Sequence, residues 1–170
     1  MNEQERRHCI TRMDEEMPEG QVFLSGWCIF IVKETDAAFV CGAFLAAILT
    51  AVAGIETYLR AEYRANERKG LNDLINDAAI DEDLRQDLHT LRGYRNKWVH
   101  VNDPWNDDML IQSPEELRDE LERTAFFAVT TLRRVMYDHQ WIRRYHPAVA
   151  SNRGHARCRG AGQYREKKPI

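Results

Sequence analysis

The sequence has few of the residues that mark specialised classes of protein. It contains 4 cysteines in 170 residues, without a CxxC pair or regular spacing, which argues against a disulfide scaffold and indicates reduced thiols in a cytoplasm. Its 9 Gly and 5 Pro exclude collagen-like and low-complexity chains. A net charge of -3 with 44% hydrophobic residues excludes disorder throughout, so we expect one globular domain.

Several enzyme motifs are also missing. Neither GxGxxG nor GxxxxGKS/T occurs, so dinucleotide redox chemistry and P-loop hydrolysis have no support, and HExxH is absent. His139 and His146 lack a third ligand at a suitable distance. We therefore predict neither a metal nor a cofactor, and the polar N-terminal residues predict no signal peptide.

One stretch has the length of a membrane span. Residues 37–55 form a run of 19 without a charge. The run is rich in Ala, contains Gly42 and Gly54, and has no cluster of Lys or Arg at either end. These features favour close helix packing in a water-soluble bundle over a membrane anchor, which is the alternative.

Periodicity and capping signals predict an all-α bundle of four or five helices. Residues 1–17 are polar, which predicts an arm or a frayed helix. Residues 18–146 are predicted to form the helical domain. Val22–Val32 fits a helix or a buried strand, and we predict helix because the chain offers no second strand to pair with it. The further helices are expected from Thr35 or Asp36 to Arg68, from Leu71 to Ala79, and from Asp81 or Asp83 to about His100.

The capping box Ser113-Pro114-Glu115-Glu116 predicts the start of the last helix. That helix should end near Tyr145, and its apolar face comprises Leu117, Leu121, Ala125, Ala128, Leu132, Val135 and Met136. Two cysteines in apolar runs, Cys28 and Cys41, are expected in the core.

Charge is divided unevenly along the chain. Residues 1–140 carry 16 Lys and Arg against 26 Asp and Glu, whereas residues 141–170 carry 8 against 1. We predict that residues 147–170 form a flexible basic tail without a packed core. Such a tail can contact phosphates of RNA or fold back on the acidic body, and the sequence leaves both open.

The helix predicted over 81–100 has a cation on its apolar face. The apolar residues recur at steps of four, three and seven, and Arg95 occupies the position missing from the series Leu84, Leu88, Leu91, Trp98. A guanidinium there needs an anionic partner, because an unpaired buried charge is strongly unfavourable. The partner is either Glu56 or an external anion such as phosphate, which the guanidinium binds with two hydrogen bonds.

The neighbours of Arg95 favour the external anion. Arg92, Asn96 and His100 are spaced i, i+4, i+8 and form a polar stripe. Asn96 is placed to orient the imidazole of His100, which stands at the helix end where the dipole favours its charged form. An Arg that holds a phosphate beside a His that transfers protons suits phosphodiester cleavage, for which RNA supplies its own 2′-hydroxyl nucleophile.

Arg95 and His100 do not share a face of the helix. Five residues correspond to about 140° of rotation, so one straight helix aims the two side chains apart. A two-fold homodimer would bring the two copies of the helix together and form a composite site.

The stretch Arg95-Asn96-Lys97-Trp98-Val99-His100 resembles the RxxxxH motif of the HEPN superfamily (higher eukaryotes and prokaryotes nucleotide-binding domains), in which a polar residue, often Asn, follows the Arg. Glu56-Thr57-Tyr58-Leu59-Arg60 also resembles the helix that precedes the motif helix in that family. The resemblance covers roughly residues 20–140.

The resemblance implies an α-helical homodimer with a cleft at its interface. For active members it implies a metal-independent endoribonuclease that leaves a 2′,3′-cyclic phosphate, with Arg95 and His100 as catalytic residues and Asn96 in support. Many members are toxins or antiphage effectors paired with a nucleotidyltransferase antitoxin, and others only bind RNA or nucleotides.

Three more residues are candidates for RNA binding: Arg92, Lys97 and Trp105, the last in a loop where it can stack on a base or anchor the loop on the bundle. A second match to RxxxxH, from Arg134 to His139, lacks the polar residue after the Arg, and we interpret it as a chance occurrence. The alternative function is a non-catalytic module that binds RNA, nucleotide or a protein partner, with Arg95 paired to Glu56.

Overall fold

Helices account for the regular structure of this chain. The computed structural model describes residues 1–16, 25–63, 69–101, 103, 105 and 108–137, and 84% of this part is helical, without a strand. The all-α class is confirmed, but the described ranges hold seven helices rather than four or five. They are α1 (Glu3–Glu15), α2 (Gly26–Val40), α3 (Phe44–Glu62), α4 (Leu71–Asp77), α5 (Glu82–Val99), α6 (Asp108–Gln112) and α7 (Pro114–Tyr137).

Helix α1 has its own cap and a buried contact with α2. The Asn2 side chain accepts a hydrogen bond from the Glu5 N–H at 2.9 Å, and the Glu5 carboxylate accepts from the Asn2 N–H at 2.7 Å, which is a capping box. Arg6 is only 6% exposed, and its Nε donates to the carbonyl oxygen of Val40 at 3.0 Å. Residues 3–15, expected as an arm or a frayed helix, therefore form a regular helix packed on α2.

The predicted start of a long helix at Thr35 or Asp36 is wrong. Both residues lie inside α2, which continues to Val40, and α3 begins only at Phe44. Polar residues such as Thr and Asp favour helix caps, but here the Thr35 hydroxyl donates to the Ile31 carbonyl one turn earlier, at 2.7 Å. The predicted end at Arg68 lies outside the described residues.

The chain turns between α2 and α3 at Gly42. Its φ of 79° is in the left-handed region, which glycine adopts without steric cost. The Gly42 N–H donates to the Phe39 carbonyl at 3.0 Å, and the Ala43 N–H donates to the Ala38 carbonyl at 2.9 Å. This pair of bonds is a Schellman motif, which ends α2 and reverses the chain into α3.

The turn divides the uncharged run of residues 37–55 between two helices. Helix α3 is still long and apolar enough to cross a membrane by length and composition, and 44% of its apolar window is buried inside the protein. Its buried face, which includes Ala47, Ile48, Ala51, Val52 and Ile55, packs against α2 and α7.

Helices α2, α3 and α7 pack closely at Gly54. The Cβ position of this residue lies 3.0 Å from Ile31 Cγ1 and 3.3 Å from Leu132 Cδ1, so a side chain there would require these neighbours to shift. Helices α3 and α7 run in the same direction, since Gly42 lies beside Arg118 and Gly54 beside Leu132. The largest fully buried side chains include Phe39, Ile48, Ile55, Leu59, Ile75, Leu88, Leu91, Leu132 and Met136.

Helix α7 carries the apolar face that the sequence predicts. Six of the seven residues are buried and Leu121 is half-buried. The helix begins at Pro114, and the Ser113 carbonyl accepts from the Leu117 N–H at 3.0 Å. The predicted end near Tyr145 and the tail of residues 147–170 lie outside the described residues.

The two cysteines expected in the core have different surroundings. Cys28 is buried as predicted, with 7% exposure. Cys41 is exposed, so the prediction for it is wrong, because this residue caps the C-terminus of α2 on the outside of the turn.

Candidate functional site

Helix α5 carries the RxxxxH motif and ends at it. The Asp81 carboxylate accepts from the Leu84 N–H at 2.8 Å and caps the start of the helix, so Asp81 is the start among the two predicted, Asp81 and Asp83. The last helical residue is Val99. His100 leaves the helical conformation, with φ of -118° and ψ of 59°, while its N–H still donates to the Asn96 carbonyl at 3.0 Å.

Helix α4 holds α5 in place through main-chain carbonyls. The guanidinium of Arg85 donates to the carbonyl oxygens of Ile75, Asn76 and Ala78, at the end of α4. His89 Nε2 lies 3.0 Å from the Asn76 side-chain oxygen. These contacts fix the first half of α5, while α3 and α7 contact the same helix from other sides.

Arg95 lies toward α3, where it shares one carboxylate with a second arginine. Its Nη2 is 3.9 Å from Glu56 Oε2, whereas Arg60 Nη2 donates to Glu56 Oε1 at 2.9 Å. Arg60 is the closer partner, so Glu56 offsets only part of the charge of Arg95. The Arg95 side chain is 31% exposed, so part of this charge faces solvent.

Asn96 contacts Arg95 rather than His100. Its side-chain oxygen accepts a hydrogen bond from Arg95 Nη1 at 3.1 Å. The sequence predicted that Asn96 would orient the imidazole, but the helix ends at Val99 and the backbone of His100 departs from the helical direction. The amide therefore positions the guanidinium.

The imidazole of His100 is exposed, and in the described part of the chain no group hydrogen-bonds it. The two residues beside it are apolar and also exposed, Val99 at 47% and Val101 at 51%. A histidine in this position is accessible to a ligand or to another molecule.

The three candidates for RNA binding differ in exposure. Arg92 is half-buried, and its Nε is enclosed without a partner among the described residues. Lys97 is exposed, and its amino group lies 3.4 Å from a Glu120 carboxylate oxygen. Trp105 is 90% exposed, so it does not anchor its loop on the bundle. Its backbone N–H donates to the Asp103 side chain at 3.0 Å.

Sequence reasoning missed the aromatic and acidic surroundings of Lys97. Its amino group lies 5.5 Å from the ring centre of Tyr94 and 5.7 Å from that of Trp98. Burial raises the pKa of Tyr94, and the nearby carboxylate of Glu120 adds to the rise. The i, i+3 spacing of Tyr94 and Lys97 is visible in the sequence, but the approach of Glu120 depends on how α7 packs on α5.

The second match to RxxxxH has structural contacts at its first residue. Arg134 forms ion pairs with Asp87 and Asp81 and thereby joins α7 to α5. Its His139 lies outside the described residues. These ion pairs agree with the interpretation of this match as a chance occurrence.

An acidic depression on α7 borders the motif helix. Its lining comprises Ser113, Glu116, Leu117, Asp119, Glu120 and Arg123. Three carboxylates and one guanidinium give it a net negative charge, which does not suit an RNA phosphate. Within the described ranges, no three His, Cys, Asp or Glu side chains come together as metal ligands.

Comparisons with models of protein families, with curated proteins and with solved structures give no match for this chain.

Proposed function

We propose that this protein is a metal-independent endoribonuclease of the HEPN type that acts as a cytoplasmic homodimer without a membrane anchor. The observation that carries the proposal is the end of α5. There the imidazole of His100 is exposed and has no hydrogen-bond partner in the described part of the chain. Arg95 precedes it by five residues, and the charge of Arg95 is only partly neutralised. The resemblance of residues 95–100 to the RxxxxH motif assigns these two groups to one reaction.

The roles follow from the chemistry of RNA cleavage. The 2′-oxygen attacks phosphorus and forms the new P–O2′ bond, while the P–O5′ bond breaks and leaves a 2′,3′-cyclic phosphate. His100 of one copy accepts the proton of the 2′-hydroxyl and then donates a proton to the leaving O5′, in a site that it shares with Arg95 of the other copy. Arg95, held by Asn96, stabilises the charge on the pentavalent phosphorus.

Exposed apolar residues beside His100 in the sequence and in α6 support the homodimer. Val99, Val101, Leu110 and Ile111 are 47 to 67% exposed. Exposed apolar residues of this kind suit contact with a second copy, which would cover them. Arg92 and Lys97 then contact neighbouring phosphates, and Trp105 stacks on a base.

The resemblance extends the proposal to a biological role. Many HEPN ribonucleases are toxins of toxin–antitoxin or antiphage systems, and the expected partner is a nucleotidyltransferase-type antitoxin. A nucleotidyltransferase gene beside that of this protein would support the role.

One contact favours a second candidate function, a non-catalytic module that binds RNA, nucleotide or a protein partner. The ion pair of Arg95 and Glu56 is an internal alternative to a phosphate, although its 3.9 Å distance is long. In that case Arg95 is structural and His100 has no chemical role.

The first test compares RNA cleavage by the wild type and by His100→Ala in the presence of EDTA. We expect a loss of about 100-fold or more, which is typical of removing a general acid or base. His89→Ala is the matched control, because it removes a histidine of the same helix that contacts Asn76. Mass spectrometry should detect 2′,3′-cyclic phosphate ends; equal cleavage by the wild type and His100→Ala would contradict the proposal.

A second test asks whether the site is composite. Arg95→Ala and His100→Ala should each be inactive, but an equal mixture that is denatured and refolded should recover about a quarter of the wild-type rate. The reason is that half of the dimers are mixed, and each mixed dimer has one complete site of two. No recovery would mean that Arg95 and His100 do not act across an interface.

A further inference from the structure

Two arginines converge on the turn between α2 and α3. The Cβ position of Gly42 lies 3.3 Å from Arg6 Nη2 and 3.5 Å from Arg118 Nη2. The guanidinium carbons of Arg6 and Arg118 lie 5.3 and 5.6 Å from the ring centre of Phe44. Two like charges brought together at one glycine repel each other unless an anion lies between them.

Arg6 is buried, but one of its nitrogens has no acceptor. With 6% exposure, the residue donates from Nε to the Val40 carbonyl at 3.0 Å and from Nη1 to the Met1 carbonyl at 2.5 Å. Nη2, which lies over Gly42, has no hydrogen-bond partner in the described part of the chain. The Nη2 atom is not among the enclosed atoms, so solvent or a ligand can reach it, and an anion there would accept a charge-assisted hydrogen bond.

The nearby carboxylate of Glu122 is divided between Arg6 and the amino group of Met1. Glu122 Oε1 lies 3.3 Å from Arg6 Nη1, and Glu122 Oε2 accepts from the Met1 amino group at 2.9 Å. Within the described ranges Arg118 forms no ion pair, and its side chain is exposed. The cluster therefore has more positive than negative charge at the point where the two Nη2 atoms meet.

The N-terminus of α3 faces the same turn. Ala43 precedes this helix without a side-chain cap, so the first amides of the 19-residue helix have no side-chain acceptor. The helix dipole adds a partial positive charge there. Because Gly42 has no side chain, the two guanidinium groups can lie directly against the turn.

We infer that Arg6, Arg118 and the N-terminus of α3 form a binding site for a phosphate group, either inorganic phosphate or a phosphomonoester. The two Nη2 atoms donate to different oxygens of the tetrahedral anion, and the first turn of α3 supplies backbone amides. This site is separate from the RxxxxH motif. Phe44 and Glu56, the partner of Arg95, are about 18 Å apart along α3, and Arg118 projects from α7 about 200° away from Glu120, which contacts Lys97.

The test is a titration of the full chain with inorganic phosphate, followed by ³¹P NMR. We expect saturable binding that Arg118→Gln weakens at least about tenfold, because the anion loses a charge-assisted donor. Arg118→Lys should be intermediate, since it keeps the charge but loses the planar fork. Arg123→Gln, an exposed arginine of the same helix, is the matched control and should bind like the wild type. Circular dichroism verifies that each variant is folded.

Two dinucleotides distinguish the source of the phosphate group. If the site takes a terminal phosphate, a 5′-phosphorylated dinucleotide binds in an Arg118-dependent manner and its 5′-hydroxyl counterpart does not. If it takes free phosphate, only inorganic phosphate binds. His100→Ala should leave phosphate binding unchanged, so this test is independent of the ribonuclease. The inference is overturned if no phosphate ligand binds saturably, or if Arg118→Gln and Arg123→Gln behave alike.

Discussion

Arg133 joins three helices from a nearly buried position in α7. Its Nη1 and Nη2 donate to the two carboxylate oxygens of Asp36 in α2 at 2.7 and 2.8 Å, and Nη2 also donates to Asp14 in α1 at 2.9 Å. The side chains of Arg133 and Asp36 are 6% and 15% exposed, whereas that of Asp14 is 59% exposed. Two aspartates at similar distances should therefore differ in their effect on stability.

We predict that Asp36→Ala lowers the free energy of unfolding by about 3–5 kcal/mol, because it leaves a buried guanidinium with one solvent-exposed partner. Asp14→Ala should cost less than about 1 kcal/mol, since water screens the exposed pair. Urea unfolding of both variants measures the difference. Similar losses would contradict the assignment of Asp36 as the main partner.

Two glycines differ in what their helices require. Gly42 has a positive φ and lies against two guanidinium groups, whereas Gly93 is exposed in the middle of α5 with no other atom within 4 Å of its Cβ position. A side chain would therefore be strained at Gly42 and would have room at Gly93. The sequence alone does not distinguish the two glycines. They differ because Gly42 lies in the turn between α2 and α3, whereas Gly93 lies inside a helix.

The two substitutions by alanine should have opposite signs. Gly42→Ala should destabilise the protein by about 1–2 kcal/mol, because L-residues avoid the left-handed conformation. Gly93→Ala should stabilise it by about 0.5–1 kcal/mol, because alanine restricts the unfolded chain and favours a helix. Midpoints of urea unfolding measure both. A loss of stability in Gly93→Ala would mean that α5 needs glycine for another reason.

Burial among the packed helices raises the pKa of three tyrosines. Burial raises the pKa of Tyr58 in α3, Tyr94 in α5 and Tyr137 in α7 above the usual value. Glu62 adds to the rise at Tyr58, whereas Arg133 opposes it at Tyr137. Ionisation of these phenols is therefore easier in the unfolded chain than in the folded one.

This difference predicts a loss of stability at alkaline pH. The contribution is complete below about pH 10, where the phenols are neutral in both states, and it falls as pH rises because only the unfolded chain releases its protons. Each tyrosine adds a slope of up to about 1.4 kcal/mol per pH unit. Urea unfolding between pH 8 and 11 should show this fall, and Tyr58→Phe should reduce it. An unchanged slope in that variant would refute the role of Tyr58.

Local signals predicted much of the fold and the composition of the candidate site. Helices α4, α5 and α7 were predicted because capping and apolar periodicity act over about four residues. Arg95 was expected on the apolar stripe with Glu56 as a possible partner, and the two lie 3.9 Å apart. The turn at Gly42 was missed because the glycine lies within an Ala-rich run that continues the helical pattern.

The sequence by itself determined the helical class, several helix boundaries and the position of Arg95, because hydrogen bonds and side-chain periodicity within a helix involve near neighbours. Only the tertiary structure decided that Glu56 is shared with Arg60, that Asn96 holds Arg95, and that Arg6 meets Arg118 at Gly42. Arg6 and Arg118 are 112 positions apart, so their approach depends on how whole helices pack. Hydrogen bonds and side-chain periodicity within one helix do not specify that packing.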